Sequence, residues 1–161
     1  MQKRHHLMVW PALVTLLLDQ VSKLAVARGL HIYDSVPLVD GFFNLVHVRN
    51  RGMAFGLMNR PDADFVFYAL VIASIGAIAI LLIWLFRFEQ ERGRITFGLS
   101  LILGGAVGNL VDRIRFREVI DFMDFYLGSY HWPAFNVADS AITIGTLWVA
   151  INLFFKDRSH I

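Results

Sequence analysis

The chain has 161 residues, of which 57% are hydrophobic and only 17% are charged, and its formal net charge is +2. The mean hydropathy of +0.56 is more than a soluble domain of this size can accommodate, because small domains leave much of their surface exposed. The composition therefore excludes soluble, disordered and polycationic nucleic-acid-binding proteins. Cysteine is absent, which excludes disulfides, thiolate metal sites and a cysteine nucleophile. These features predict an integral membrane protein.

Several stretches are long and apolar enough to cross a bilayer, which takes ~20 mostly apolar residues. These predicted spans cover about 7–27, 65–86, 95–111 and 137–155. They leave two long loops, 28–64 and 112–136. Lys and Arg are denser at both termini and in the loop 87–94 than in the long loops, which predicts cytoplasmic termini and outer long loops. We expect a single integral membrane domain over residues 1–161.

The first span has two features that allow more than one interpretation. Its basic start, apolar run and small residues at 25–27 are also typical of a cleavable signal peptide. Asp19 and Lys23 interrupt it four residues apart, so they share one helix face and can form an internal ion pair. Charges inside a span are costly and point to function, so a substrate-facing role is the alternative.

The predicted fold class is a membrane all-α core of four transmembrane helices with a small extracytoplasmic β-hairpin or sheet element. In the first long loop, the pair Asp40-Gly41 lies between β-prone runs and predicts that hairpin. The loop 112–136 mixes aromatic residues with acids, which is typical of a segment on the bilayer surface or over an apolar ligand. A stripe of glycines in the third span, residues 104, 105 and 108, predicts close helix packing.

The acidic residues carry most of the functional information, and five of the thirteen lie between positions 112 and 139. They are Asp112, Glu118, Asp121, Asp124 and Asp139. Two carboxylates that face each other in a partly dry site tend to share a proton. One can then activate water while the other acts as an acid. Spacing alone more readily explains these acids as ion-pair partners of Arg113, Arg115 and Arg117.

Two of these acids also have simple structural explanations. Asp112 adjoins Arg113, which favours a buried ion pair or a contact at a helix end. Asn136 can cap the fourth helix, and Asp139 in the first turn would be favoured by the helix dipole, so capping explains both residues as well as catalysis does. Other chemistries have less support. The six histidines show no metal-ligand spacing. For nucleophilic catalysis by a serine, Ser140 is the remaining candidate.

The chain resembles the bacterial lipoprotein signal peptidases, also called type II or prolipoprotein signal peptidases. The resemblance covers nearly the whole length, and each motif that carries it falls in the expected span or loop. The motifs, in chain order, are DQVSK at 19–23, NRGMAFG at 50–56, GGAVGNLVDR at 104–113, and VIDF at 119–122 followed by FNVAD at 135–139. Each motif is weak alone, but their order is specific.

This resemblance implies an integral-membrane aspartic endopeptidase whose catalytic pair is Asp121 and Asp139. It also implies substrate-orienting or supporting roles for Asp19, Lys23, Asn50, Asn109, Asp112, Arg113 and Asn136. The implied substrate is a prolipoprotein with a diacylglyceryl-modified cysteine, cut on the N-terminal side of that cysteine near the outer face of the bacterial cytoplasmic (inner) membrane.

Several further expectations accompany this assignment. Carboxylates alone can activate water, so no metal and no cofactor is expected. We also expect a monomer among membrane lipids, with no nucleic acid partner. We hypothesise that Asp139 stays ionised while Asp121 carries the shared proton, although protons in a coupled pair belong to both groups.

Two other classes of protein are compatible with four short spans. A small transporter could use Asp19 or Lys23 as a coupling charge, but it would not need long outer loops rich in acids and aromatic residues. An assembly factor without chemistry would tolerate amide replacement of Asp121 or Asp139.

Overall fold

The computed structural model describes residues 2–52, 64–88 and 93–156. Its long helices are α1 (Gln2–Gly29), α2 (Asp64–Phe88), α3 (Gly93–Phe116) and α4 (Val137–Lys156). Each contains a window that is long and apolar enough to cross a membrane. The predicted four-helix membrane core is therefore confirmed. Helix α1 extends beyond the predicted span 7–27 because a helix can continue past the hydrocarbon layer with polar residues.

Helix α3 is central because it packs against each of the other three helices. Small residues permit this close approach. A Cβ atom on Gly104 would lie 2.5 Å from the Ala12 carbonyl oxygen of α1, and one on Gly105 would overlap the Ala138 carbonyl oxygen of α4. The packing role predicted for the glycine stripe is thus confirmed.

The apolar interior is small, and most large apolar side chains face outward. Leu85, Ile95, Leu99 and Val149 form one buried cluster between α2, α3 and α4. Helix α2 is the extreme case, since only 6% of its apolar window is buried inside the structure and the rest faces outward. Such a helix is stable in lipid, where its backbone groups are paired internally and its side chains contact acyl chains.

An antiparallel sheet lies beside one end of the helices. Its strands are β1 (Ser35–Val39), β2 (Phe43–Asn50), β3 (Val119–Leu127) and β4 (Tyr130–His131), paired in that order. Strands β1 and β2 form the predicted hairpin around Asp40 and Gly41. Gly41 has a φ of +77°, which glycine adopts without steric cost.

The second long loop differs from its prediction in two ways. Helix α3 continues to Phe116, so Asp112 and Arg113 belong to the helix and not to the loop 112–136. The loop then contributes β3, which pairs with β2, so both long loops build one sheet. The aromatic residues of this loop pack partly on the sheet itself, since the Phe125 ring stacks on that of Phe43 at 4.6 Å.

Candidate active site

A cavity of about 550 Å³ opens where α3 and α4 meet strands β2 and β3. Its polar lining includes Asn50, Asn109, Arg113, Asp121 and Asp139. The remainder is largely apolar and includes Trp132, Pro133, Phe135, Ile142 and Ile144. Carboxylates, a guanidinium and apolar surface thus share one pocket, which is the usual composition of a binding site.

Asp121 reaches this cavity from β3 and is held by two side-chain amides. Asn136 Nδ2 donates to Asp121 Oδ1 at 2.7 Å, and Asn50 Nδ2 donates to Asp121 Oδ2 at 3.0 Å. Burial, and then the neighbouring charge of Asp139, raises the pKa of Asp121 to about 7, against the opposing effect of these hydrogen bonds and of Lys23. A carboxyl group with this pKa can exchange a proton near neutrality.

Asp139 lies in the first turn of α4, where it forms a reciprocal cap with Asn136. The Asp139 N–H donates to Asn136 Oδ1 at 2.9 Å, and the Asn136 N–H donates to Asp139 Oδ2 at 3.3 Å. This is the geometry of a capping box, so the predicted capping role of Asn136 is confirmed. The same Asn136 side chain also contacts Asp121, and therefore the helix cap joins the two carboxylates of the cavity.

Three charged side chains lie buried behind the cavity. Lys23 Nζ is 2.8 Å from Asp19 Oδ2 and 2.9 Å from Asp112 Oδ2, and each of the three side chains is at most 2% exposed. The internal Asp19–Lys23 ion pair is therefore present. The sequence had indicated an ion pair between Asp112 and its neighbour Arg113, but Asp112 pairs with Lys23. Adjacent helix residues point in different directions, and Arg113 lines the cavity.

This buried triad also ties separate elements together. Asp19 Oδ1 accepts a hydrogen bond from the Ala138 N–H of α4 at 2.9 Å. Asp112 Oδ2 accepts one from the Ile120 N–H of β3 at 3.3 Å. Gln20 Nε2 donates to Asp112 Oδ1 at 3.0 Å. No role was predicted for Gln20, and its place in the motif 19–23 was the only signal that could have indicated one.

Lys23 fixes the orientation of the Asn109 amide. Lys23 Nζ donates to Asn109 Oδ1 at 2.9 Å, while Asn109 Nδ2 donates to Asp139 Oδ1 at 2.8 Å. An ammonium group has no acceptor, so the amide oxygen must face Lys23. The amide nitrogen must then face Asp139, and the buried charge thereby determines which atom Asp139 meets.

The remaining acids of the region are paired outside the cavity. Glu118 pairs with Arg51 at 2.6 Å, and Asp124 is hydrogen-bonded to His131 Nδ1 at 2.9 Å. Arg117 pairs instead with Asp64 of α2, at 3.0 Å. The alternative in which the acids of 112–139 pair with Arg113, Arg115 and Arg117 is thus wrong for the described residues. The partners come from other elements, and sequence proximity could not reveal them.

All of the predicted site residues lie together in the structure. Some line the cavity, as given above, whereas Asp19, Lys23, Asp112 and Asn136 are buried behind it. Within the motif at 50–56, Asn50 contacts Asp121, and residues 53–56 lie outside the described part of the chain. The predicted residues therefore form one connected network that spans α1, α3, β2, β3 and α4.

Comparison with known proteins extends this description. A family model described as signal peptidase (SPase) II matches residues 11–155. A lipoprotein signal peptidase of Desulforapulum autotrophicum is 47% identical over 89% of this chain and 88% of that protein. The corresponding protein of Syntrophus aciditrophicus is 45% identical over 90% of each chain.

Two solved structures of bacterial membrane enzymes, both obtained by the in meso method, have the same fold. The structure at 2.3 Å resolution gives a TM-score of 0.83 with 29% identity, covering 96% of this chain and 91% of that one. The structure at 1.9 Å gives 0.77 with 30% identity, covering 91% of each. The chain is therefore a multi-pass bacterial membrane peptidase. It belongs to the signal peptidase II family.

Proposed function

We propose that this peptidase removes the signal peptide of diacylglyceryl-modified prolipoproteins and cleaves on the N-terminal side of the lipidated cysteine. Membership of the signal peptidase II family supports removal of a signal peptide from a prolipoprotein. The observation that carries the mechanism is that Asp121 and Asp139, from different elements, line one cavity. Asn136 contacts both of them, so their relative position is defined.

In this mechanism the two carboxyl groups begin with one proton between them. Asp139 takes a proton from a water molecule, whose oxygen attacks the scissile carbonyl carbon, while Asp121 gives its proton to the carbonyl oxygen. The tetrahedral intermediate then breaks its C–N bond. Asp139 passes its proton to the amine of the cysteine, and Asp121 recovers one from the intermediate. The raised pKa of Asp121 supports its role as the proton carrier.

The supporting residues have three different roles around this pair. Asn50 and Asn136 hold Asp121 by donating to its two oxygens. Arg113 and Asn109 line the cavity, where they can donate to substrate carbonyl groups. Asp19, Lys23 and Asp112 are buried, so they act as positioning residues.

The cavity also has the chemistry that a lipidated peptide requires. The wall formed by Trp132, Pro133 and Ile144 is apolar and adjoins the carboxylates. The helices around it are long enough to span a membrane, so acyl chains of the substrate can remain near lipid during cleavage. We assign the whole chain to one membrane domain that acts as a monomer without nucleic acid, with cytoplasmic termini and the cavity near the outer face.

Cleavage by the purified chain tests this function. The substrate is a synthetic prolipoprotein segment offered with and without the diacylglyceryl group, in detergent, with and without a chelator. We expect mass spectrometry to show one cut before the lipidated cysteine, no cut of the unmodified peptide, and no effect of the chelator. An uncut lipidated substrate would contradict the proposal and favour an assembly factor. Loss of cleavage with chelator would contradict a metal-free mechanism.

A further inference from the structure

Two arginines share one aromatic ring at the end of α3. The Cζ atom of Arg115, in the last turn of the helix, lies 4.9 Å from the centroid of the Phe116 ring. The Cζ atom of Arg49, from β2, lies 5.3 Å from the same centroid. The two guanidinium groups are therefore at most about 10 Å apart, and two cations at such a distance repel each other unless an anion lies between them.

Neither of these arginines has a carboxylate partner among the described residues. Arg49 Nε instead donates to His47 Nε2 at 3.0 Å. The neighbouring arginines are different, because Arg117 contacts Asp64 at 3.0 Å and Arg51 contacts Glu118 at 2.6 Å. Of the arginines Arg49, Arg51, Arg115 and Arg117, therefore, Arg49 and Arg115 are the two whose charge is not paired with a carboxylate among the described residues.

The surroundings of this pair are apolar on the side of the helix. Ile114 is 63% exposed and Phe116 is 41% exposed, and both belong to the final turn of a helix that is long enough to span the membrane. At such a position, apolar side chains meet acyl chains while guanidinium groups extend to the headgroup level. The site therefore combines a hydrocarbon contact with two adjacent positive charges.

We propose that Arg49 and Arg115 bind the phosphate of an anionic glycerophospholipid in the leaflet that this end of α3 reaches. Each guanidinium presents parallel N–H donors that match phosphate oxygens. A headgroup with no cationic substituent leaves the negative charge of this phosphate uncompensated, which favours it over a zwitterionic headgroup. The acyl chains of this lipid would lie along Ile114 and Phe116, outside the cavity that contains Asp121 and Asp139.

The position of this site links it to the cavity through β2. Arg49 precedes Asn50, whose side chain donates to Asp121. His47, two residues earlier, is buried and contacts the Leu30 carbonyl oxygen through Nδ1 at 3.0 Å. A lipid held by Arg49 would therefore restrain the strand end that carries Asn50.

Native mass spectrometry of the full chain in neutral detergent tests this inference without using peptidase activity. The probes are dioleoyl phosphatidylglycerol, dioleoyl phosphatidylcholine and inorganic phosphate. We expect one tightly bound phosphatidylglycerol and weaker binding of phosphatidylcholine. Arg49→Gln and Arg115→Gln should each weaken phosphatidylglycerol binding about fivefold, the factor that corresponds to about 1 kcal/mol for each basic residue near an anionic surface.

Arg117→Gln is the matched control, because it removes the same charge at the same end of α3 from an arginine that already has an acidic partner. Its lipid affinity should remain that of the wild type, and thermal unfolding would verify that all three variants are folded. Equal binding of both lipids, or wild-type affinity in Arg49→Gln and Arg115→Gln, would overturn the proposal. Saturation of the site by inorganic phosphate with no gain from the lipid would show a free-anion site instead.

Discussion

Asp121 and Asp139 lie in the same cavity but receive different hydrogen bonds. Asp121 is held by two side-chain amides, whereas Asp139 receives an amide from Asn109 and a backbone N–H at the start of α4. A helix N-terminus favours negative charge. This asymmetry supports the hypothesis that Asp139 carries the charge and Asp121 the proton.

The pH dependence of cleavage follows from this asymmetry. Since burial and Asp139 raise the pKa of Asp121 to about 7, its acid form is lost as the pH rises through that value. We expect kcat/KM to fall about tenfold per pH unit above pH 7, because this parameter reports groups of the free enzyme. Cleavage rates measured from pH 5 to 9 test this. A rate that stays constant up to pH 9 would show that Asp121 does not supply a proton.

Lys23 is the residue whose charge the buried network depends on most. We expect Lys23→Met to cost about 3–5 kcal/mol, because it leaves Asp19 and Asp112 buried without their cation. Lys23 does not line the cavity, so kcat should fall more than KM rises when the Asn109 amide loses the shorter and charged of the two hydrogen bonds to its oxygen. Thermal unfolding and steady-state cleavage kinetics measure the two effects.

A double variant separates charge from positioning in this network. Lys23→Met with Asp112→Asn removes one of the stranded charges and should recover part of the stability, yet kcat should stay low because Asn109 Oδ1 then keeps only the longer hydrogen bond from Asn136 Nδ2, at 3.3 Å. Non-additive stabilities of this kind identify direct coupling. Additive stabilities would show that Lys23 and Asp112 are not coupled, and full recovery of kcat would show that Lys23 does not orient Asn109.

Among the elements, α3 and α4 are in tight contact at Gly105. A Cβ atom there would overlap the Ala138 backbone, whereas nothing lies within 4 Å of one on Gly76 in α2. We expect Gly105→Ala to destabilise the protein by about 1–3 kcal/mol through overpacking. Gly76→Ala should be neutral or stabilise by up to about 1 kcal/mol through helix propensity. Unfolding in detergent compares them, and equal effects would contradict a glycine-dependent contact.

The sequence predicted those elements whose signals are local. The four spans are visible in hydropathy, and the β1–β2 hairpin follows from Asp40 and Gly41, since both patterns depend on neighbouring residues. Strand β3 was missed because it pairs with β2, which lies about seventy residues earlier. The pairing is also irregular, since the register shifts between Leu45 and Val48 of β2 and the N–H groups of Phe122 and Met123 both donate to the Phe135 carbonyl.

Residue chemistry predicted less of the site than the family resemblance did. Spacing alone gave a cluster of acids but did not separate Asp121 from Asp112 or Asp124, because their partners are distant in sequence. The motifs of the resemblance singled out Asp121 and Asp139. The orientation of Asn109 by Lys23 required three-dimensional contacts, since nothing in the sequence indicates which amide atom faces a carboxylate.

On the scale of the whole molecule, the distribution of Lys and Arg predicts that both termini are cytoplasmic. The chain contains no cysteine, so single cysteines can be labelled without background. Asp40→Cys lies at the exposed hairpin turn, and Arg94→Cys lies at the exposed start of α3. A membrane-impermeant maleimide should label the first variant in intact cells and the second only after lysis. The reverse pattern would invert the orientation.

The chemistry proposed for the whole molecule depends on the aspartate pair, and replacement of single carboxylates tests that dependence. Asp121→Asn, Asp139→Asn and the control Asp124→Asn would be compared with the wild type in cleavage of the lipidated prolipoprotein. Asp124 is a suitable control because it is a buried acid of the same strand that contacts Asn44 and His131.

We expect at least about a thousandfold loss of kcat in Asp121→Asn and in Asp139→Asn, in keeping with the loss of an acid or base from the reaction. Asp124→Asn should retain activity, and the thermal transition of each variant should show that it is folded. Near-normal cleavage by either Asp121→Asn or Asp139→Asn would show that these two carboxylates are not the catalytic pair.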